Sequence, residues 1–217
     1  VEHIGETVII LFGGEKGGTG KSTLATNLSV WLSRKKSDFV LVDADRQSTS
    51  SNWVSGRGSR LPDLQKINCI QRYGNIASTV QDLASRYEHV IIDAAGRDSE
   101  ELRSSLVVAD VLFSPLKASQ SDLWTVEHLH ELVKLSKAMN SKLRAFAVLS
   151  MASPNPRVSE AGQAKEMLVE YPEIDLVKAI IRDRKVYRDA MCESKGVLEM
   201  NDERAREEIE ALAKEVF

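Results

Sequence analysis

The chain is poor in the features that would place it outside ordinary globular proteins. Only two cysteines occur in its 217 residues, Cys69 and Cys192. Two distant cysteines cannot build a disulfide framework, a CxxC zinc pattern or an iron–sulfur spacing. The apolar runs are strand-sized, far short of the ~20 residues that a membrane-spanning helix needs. No apolar leader core is present near the N-terminus, where Glu2, His3 and Glu6 interrupt it, so the expectation is a cytosolic, reduced setting. Charge of one sign is missing as well: 29 Lys+Arg stand against 32 Asp+Glu, a formal net charge of −3. That balance argues, on average, against a strong polyanion binder. The four histidines, His3, His89, His128 and His130, show no metal-ligand grouping with acids or cysteines.

What is present is an alternation of short apolar runs and helix-period segments, which predicts βαβ units and a parallel sheet. Thr7–Phe12 is a near-continuous apolar run, as expected of a strand buried on both faces. Phe39–Val42, His89–Ile92, Val111–Phe113, Ala145–Leu149 and Val177–Ile181 repeat it, and helices are predicted at Ser22–Ser33, Ile76–Tyr87, Asp122–Met139, Val158–Val169, Lys185–Glu193 and Asp202–Val216. Ser51–Asp63, with Gly56, Gly58 and Pro62, reads as a surface connection. With no repeat or linker in sight, the prediction is one doubly wound α/β domain over residues 1–217, a mostly parallel sheet flanked by helices.

The most informative segment is Gly13-Gly14-Glu15-Lys16-Gly17-Gly18-Thr19-Gly20-Lys21-Ser22-Thr23, between the first strand and the first helix. Glycines let successive N–H groups turn around an anion, and the helix N-terminus adds its positive end. In such a loop the backbone from Gly17 to Gly20, with Thr19 and Thr23, surrounds the phosphates. Lys21 reaches the β/γ-phosphates and Ser22 completes the Mg²⁺ shell. The general phosphate-loop pattern has glycine six residues before its lysine, and this chain has Glu15 there.

With Lys16 included, Lys-Gly-Gly-Thr-Gly-Lys-Ser resembles the deviant Walker A motif of the ParA/MinD family. The resemblance implies that Lys16 crosses a nucleotide-sandwich dimer to the phosphates held by the other subunit, in the manner of an arginine finger. Asp43-Ala44-Asp45-Arg46-Gln47 resembles the family's Walker A′ pattern, with Arg46 in place of its proline. Two acids two residues apart at a strand end point the same way. By resemblance Asp45 orients the attacking water and Asp43 supports the metal–water network. His89-Val90-Ile91-Ile92-Asp93 reads as Walker B, with Asp93 holding Mg²⁺ through water, and Gly96 resembles the glycine whose N–H senses the γ-phosphate. Val111–Leu116 and Ser119–Trp124 look like the family's next strand and switch-type loop. Asn155, Pro156 and Arg157 fall where the family contacts adenine, a position that an ordinary strand-to-helix loop would fill equally well.

The resemblance covers essentially the whole chain and implies an Mg²⁺-dependent ATPase with weak basal activity, stimulated by a ParB-type or other adaptor. Within the family, a membrane-bound MinD-type protein should end in a basic amphipathic helix, whereas Glu207–Phe217 is acidic. No membrane partner is therefore expected. The branch left by elimination lacks an appended helix-turn-helix domain and binds nonspecific DNA as the ATP dimer, near the nucleoid. The densest basic stretch, with Lys178, Arg182, Arg184, Lys185 and Arg188, is the candidate DNA contact, against the alternative of a solvated helix start. Plasmid or chromosome partition, or positioning of another cargo, is the expected function. A MinD-like membrane-surface ATPase and a metabolic P-loop ligase or kinase are the rivals.

Overall fold

The computed structural model describes residues 7–117, 123–154 and 160–217, without the side chains of Leu123 and Trp124. Seven strands form one parallel sheet in the order β3-β2-β4-β1-β5-β6-β7: β1 is Val8–Phe12, β2 Phe39–Ala44, β3 Asn68–Gln71, β4 His89–Ala94, β5 Val111–Leu116, β6 Arg144–Ala152 and β7 Ile174–Arg182. The helices are α1 Lys21–Lys35, α2 Thr49–Arg60, α3 Ala77–Ala84, α4 Glu100–Leu106, α5 Leu123–Lys137, α6 Glu160–Leu168, α7 Lys185–Cys192 and α8 Glu203–Ala213, with a 3₁₀ turn at Val197–Glu199.

The alternation along β1 explains both layers. Ile9 and Leu11 join a core with Val80 of α3, Leu102 and Leu106 of α4, Leu129 and Val133 of α5 and Leu168 of α6. Ile10 and Phe12 face the other way, onto Leu24 and Leu28 of α1, Trp53 of α2, Tyr187 of α7 and Ile209 and Leu212 of α8. A strand with both faces covered must be apolar at every position, which is why β1 shows no alternating polar pattern. The chain leaves β1 toward β2 and later crosses to β5 on its other side. The crevice above the C-terminal ends of β1 and β4 is therefore where such a sheet receives ligands.

The doubly wound α/β fold agrees with the sequence reading, and two local expectations are corrected. Thr49–Arg60 is a helix rather than a surface connection. Trp53 and Arg57, one turn apart, are both buried, and Arg57 makes a two-pronged ion pair with Glu199 (Nη1 to Oε2 2.8 Å, Nη2 to Oε1 2.5 Å). Gly56 is there for close packing, not for a turn: a β-carbon on it would stand 2.4 Å from Ser194 Oγ. The second correction is that β3, α4 and the 3₁₀ turn are short elements absent from the predicted set. In α8, Ile209 and Leu212 are fully buried, so this acidic helix packs on the sheet.

Candidate nucleotide site

The phosphate loop closes on itself. Gly20 caps α1 with a left-handed φ of 102°, a conformation that a side chain resists, and α1 starts directly at Lys21. Lys21 is buried, and its ammonium donates to the Lys16 carbonyl at 2.7 Å. Thr19 Oγ1 donates to the same carbonyl at 3.3 Å. Burial lowers the Lys21 pKa, while the charges of Asp93 and Asp45 act to raise it. Gly17 and Gly18 are exposed, Ser22 and Thr23 half-buried. The loop rests against Gly96, where a β-carbon would lie 2.8 Å from the Gly17 backbone and the Lys16 carbonyl. Sequence position 96 therefore needs glycine for a steric reason that is independent of any phosphate.

The carboxylates stand beside the loop on adjacent strands. Asp43 and Asp93 are register partners across β2 and β4, and both are fully buried. Asp43 is enclosed by donors of its own segment: Oδ1 accepts from the Asp45 N–H (3.2 Å), and Oδ2 from the Ser51 N–H (2.7 Å) and hydroxyl (2.6 Å). Asp45 is half-buried, and its Oδ1 accepts from the Gln47 N–H at 3.0 Å, tightening the turn. Asp93 differs. Ser50 donates to Oδ2 at 2.6 Å and the Ser22 hydroxyl is near enough to act on the carboxylate, yet among the described residues Oδ1 is buried with no hydrogen-bond partner. Burial pushes the Asp93 pKa up to about 7, against the opposing Ser50 and Ser22 hydrogen bonds.

Arg46, where the family pattern has proline, is braced from a distance. Its guanidinium lies 5.1 Å from the centre of the Tyr73 ring, and the Tyr73 hydroxyl is 3.2 Å from Ser48 Oγ. Glu15 also has a role that sequence reading missed. It lies 3.0 Å from His128 Nε2 of α5, which is 3.4 Å from Asp98 Oδ2, and Asp98 grips Arg103 of α4 through both oxygens. A run of polar contacts thus links the phosphate loop to the segment after β4 and to two helices. Burial raises the Glu15 pKa while His128 opposes that shift. Ser51 was missed because Ser51–Asp63 read as a surface connection, and Ser50 because it stands just outside any predicted element. The available signal was a Ser/Thr cluster, Ser48 to Ser51, following two strand-end acids.

A cavity of about 470 Å³ opens beside the start of α1, lined by Gly20, Thr23, Met151, Arg182, Tyr187 and Met191 among others. Asn155, Pro156 and Arg157, the sequence candidates for the base, lie outside the described residues. So does most of Ser119–Trp124. Three of the five basic candidates, Arg182, Arg184 and Arg188, line the wall of this cavity. Their charges have local acceptors: Arg184 Nε on Glu208 (2.8 Å), Arg188 on Asp183 (2.6 Å), Lys185 on Asp189 (2.8 Å) and Arg182 on the Ser153 carbonyl (2.5 Å). Lys178 is exposed on β7. Among the described residues no group of three His, Cys, Asp or Glu could hold a metal, and no helix is long and apolar enough to cross a membrane.

Comparison with known proteins agrees with this geometry. Residues 10–197 match the family described as CobQ/CobB/MinD/ParA nucleotide binding domain. The chain is 27% identical to maintenance of carboxysome distribution protein A of Halothiobacillus neapolitanus over 205 residues, 93% of each protein. It is 30% identical to the protein of the same name from Gloeobacter kilaueensis over 196 residues, 88% of this chain and 84% of that one. In fold it is similar to a Cyanothece McdA variant solved with ATP, with a TM-score of 0.76 at 16% identity, over 97% of this chain and 96% of that one. The chain belongs to the CobQ/CobB/MinD/ParA nucleotide binding domain family, as a deviant Walker A P-loop ATPase of the ParA/MinD type.

Proposed function

We propose that this chain is a positioning ATPase acting as a single domain, which forms a nucleotide-sandwich dimer with ATP and distributes a cargo together with an adaptor protein. The observation that carries the reading is the gathering of Lys16, Lys21, Ser22, Asp45 and Asp93 around one loop at the ends of β1, β2 and β4. Lys21 would offer its ammonium to phosphate oxygens, and the backbone from Gly17 to Gly20 with Thr23 would surround them. Gly96, against the loop, would offer its N–H to the γ-phosphate. Mg²⁺ keeps most of its waters and takes few protein ligands. The Ser22 hydroxyl and the orphaned Oδ1 of Asp93 suit such an ion, Ser22 directly and Asp93 through water. When bound, Mg²⁺ neutralises charge that develops on the transferring phosphoryl group. Asp45 orients the attacking water, and Asp43, its lone pairs engaged, braces the turn that carries Asp45. Lys16 supplies the stabilising cation to the partner subunit's phosphates. The cavity beside α1 has the size of a base-binding site and would take adenine, with Asn155 and Arg157 as further contacts.

Among cargoes, a protein compartment is favoured by the names of the two relatives, both of which concern carboxysome distribution. Nonspecific DNA, the surface along which such a dimer would travel, would meet Lys178, Arg182, Arg184, Lys185 and Arg188. Because four of these are locally engaged, DNA binding on this reading is weak in one subunit and needs two copies of the patch in the dimer. The test is sedimentation with ATP, ADP and no nucleotide, alone and with duplex DNA across a salt series. The reading expects ATP alone to produce a dimer, and DNA to follow that dimer and leave it as salt rises. An ATP-saturated protein that stays monomeric would refute it.

A further inference from the structure

The first turn of α2 places two adjacent serines on two different carboxylates. Ser51 closes onto Asp43, on the strand that leads into its own helix, but Ser50 reaches across to Asp93 on β4, 43 residues away. Ser50 and Asp93 are both without solvent exposure, and their 2.6 Å contact is among the shorter hydrogen bonds in the protein. A buried carboxylate oxygen is ordinarily given a donor. Oδ2 has Ser50 as its donor and, among the described residues, Oδ1 has none, although the Ser22 hydroxyl is near enough to act on the carboxylate. The fold thus fixes which oxygen is held and which is left for a ligand. A carboxylate clamped at one oxygen cannot turn about its last bond, so the free oxygen keeps one direction.

We propose that Ser50 is a positioning residue for the nucleotide's Mg²⁺, holding Asp93 so that Oδ1 faces the metal-bound water. This rests on the reading above in which Asp93 serves Mg²⁺. Ser50 also lies five residues after Asp45, in the first turn of the helix that follows the Asp45 turn. The clamp therefore joins the water-orienting turn to the metal carboxylate, two features on separate strands. Outer-shell partners of this kind typically change metal affinity about 10–100-fold when removed. A purely packing role predicts something else: Ser50→Ala removes one atom and suits a helix, so it would shift the fold's stability and leave the metal dependence of nucleotide binding alone.

The experiment measures binding of a fluorescent ATP analogue to the whole chain, first in EDTA and then across a Mg²⁺ titration. It compares wild type with Ser50→Ala, Ser50→Cys and Asp93→Asn. In Ser50→Ala the Mg²⁺ concentration for half-maximal tightening rises 10–100-fold, while affinity in EDTA stays at the wild-type value. Ser50→Cys keeps the volume but offers a weaker donor, so it moves the same way. The proposal is overturned if Ser50→Ala follows the wild-type titration, or if it loses affinity equally with and without Mg²⁺. Should Asp93→Asn keep the wild-type Mg²⁺ response, the metal assignment itself falls, and the clamp falls with it. Loss in Asp93→Asn without loss in Ser50→Ala removes the clamp alone.

Discussion

Two charged regions of this protein were equally visible in sequence, and the structure treats their charges in opposite ways. At Lys178–Arg188 the fold uses the cations: Arg184 is tied to Glu208, which also accepts from the Tyr187 hydroxyl and the Arg182 N–H, and Arg188 and Lys185 each hold an acid of their own segment. At the phosphate loop, charge is held back. Among the described residues, Asp93 keeps a buried oxygen without a hydrogen-bond partner, and the buried Lys21 ammonium donates to a backbone carbonyl while Asp93 and Asp45 act on its charge. Charge density alone therefore does not mark a ligand site. Charge that the fold has left unbalanced, at a cost in burial, is the better sign.

Substitutions can break that contrast, and the greatest effect belongs to the loop. Lys16→Ala should keep ATP binding and lower hydrolysis about 10³-fold or more, as loss of a trans-acting cation does. Single-turnover measurements at saturating ATP, with binding followed separately, would check it. A Lys16→Ala protein that turns over normally would place the loop's extra cation with the structural charges.

Asp93→Asn comes next and acts in the unliganded protein. The Asp93 pKa lies at about 7, against 3.8 as a free group. The folded state therefore binds the proton more tightly, and stability falls as pH rises from about 4 to about 7, the penalty being complete above 7. At 1.36 kcal/mol per unit the limit is about 4 kcal/mol. Asp93→Asn should raise the melting temperature at pH 8 without nucleotide, and this gain should vanish toward pH 4. A destabilised Asp93→Asn at pH 8 would mean that the carboxylate is balanced after all.

Arg184→Ala should lower stability by about 2 kcal/mol, the worth of a hydrogen bond to a charged group, because both partners of its ion pair are largely buried. Urea unfolding would measure this, and nucleotide affinity should change less than stability. Smallest of all, Lys185→Ala and Arg188→Ala break exposed pairs and should each change stability by less than about 0.5 kcal/mol. Any loss of DNA binding in those two variants, with a shallower salt slope and unaltered nucleotide affinity, would therefore report on DNA alone.

The sequence was most informative where function needs a contiguous motif. Gly13–Thr23 announces the turn, the helix start and the lysine together, and the apolar runs of β1, β2, β4 and β5 announce strands covered on both faces. It was silent where residues far apart complete one another. Tyr73 bracing Arg46, His128 meeting Glu15, and Ser50 on Asp93 are separated by 27 to 113 positions, and no local pattern connects them. The misread segment had the same cause. Gly56 looked like a loop breaker because its reason, the nearness of Ser194, lies 138 residues away.

The hydrogen bond from the Lys21 ammonium to the Lys16 carbonyl ties the end of the loop back to its beginning. An ammonium carries three donors, so the side chain that staples the loop to the Lys16 peptide has N–H groups to spare for an anion. The two lysines of the loop are thus joined through a peptide group, and a change at either one is felt in the backbone that carries the other.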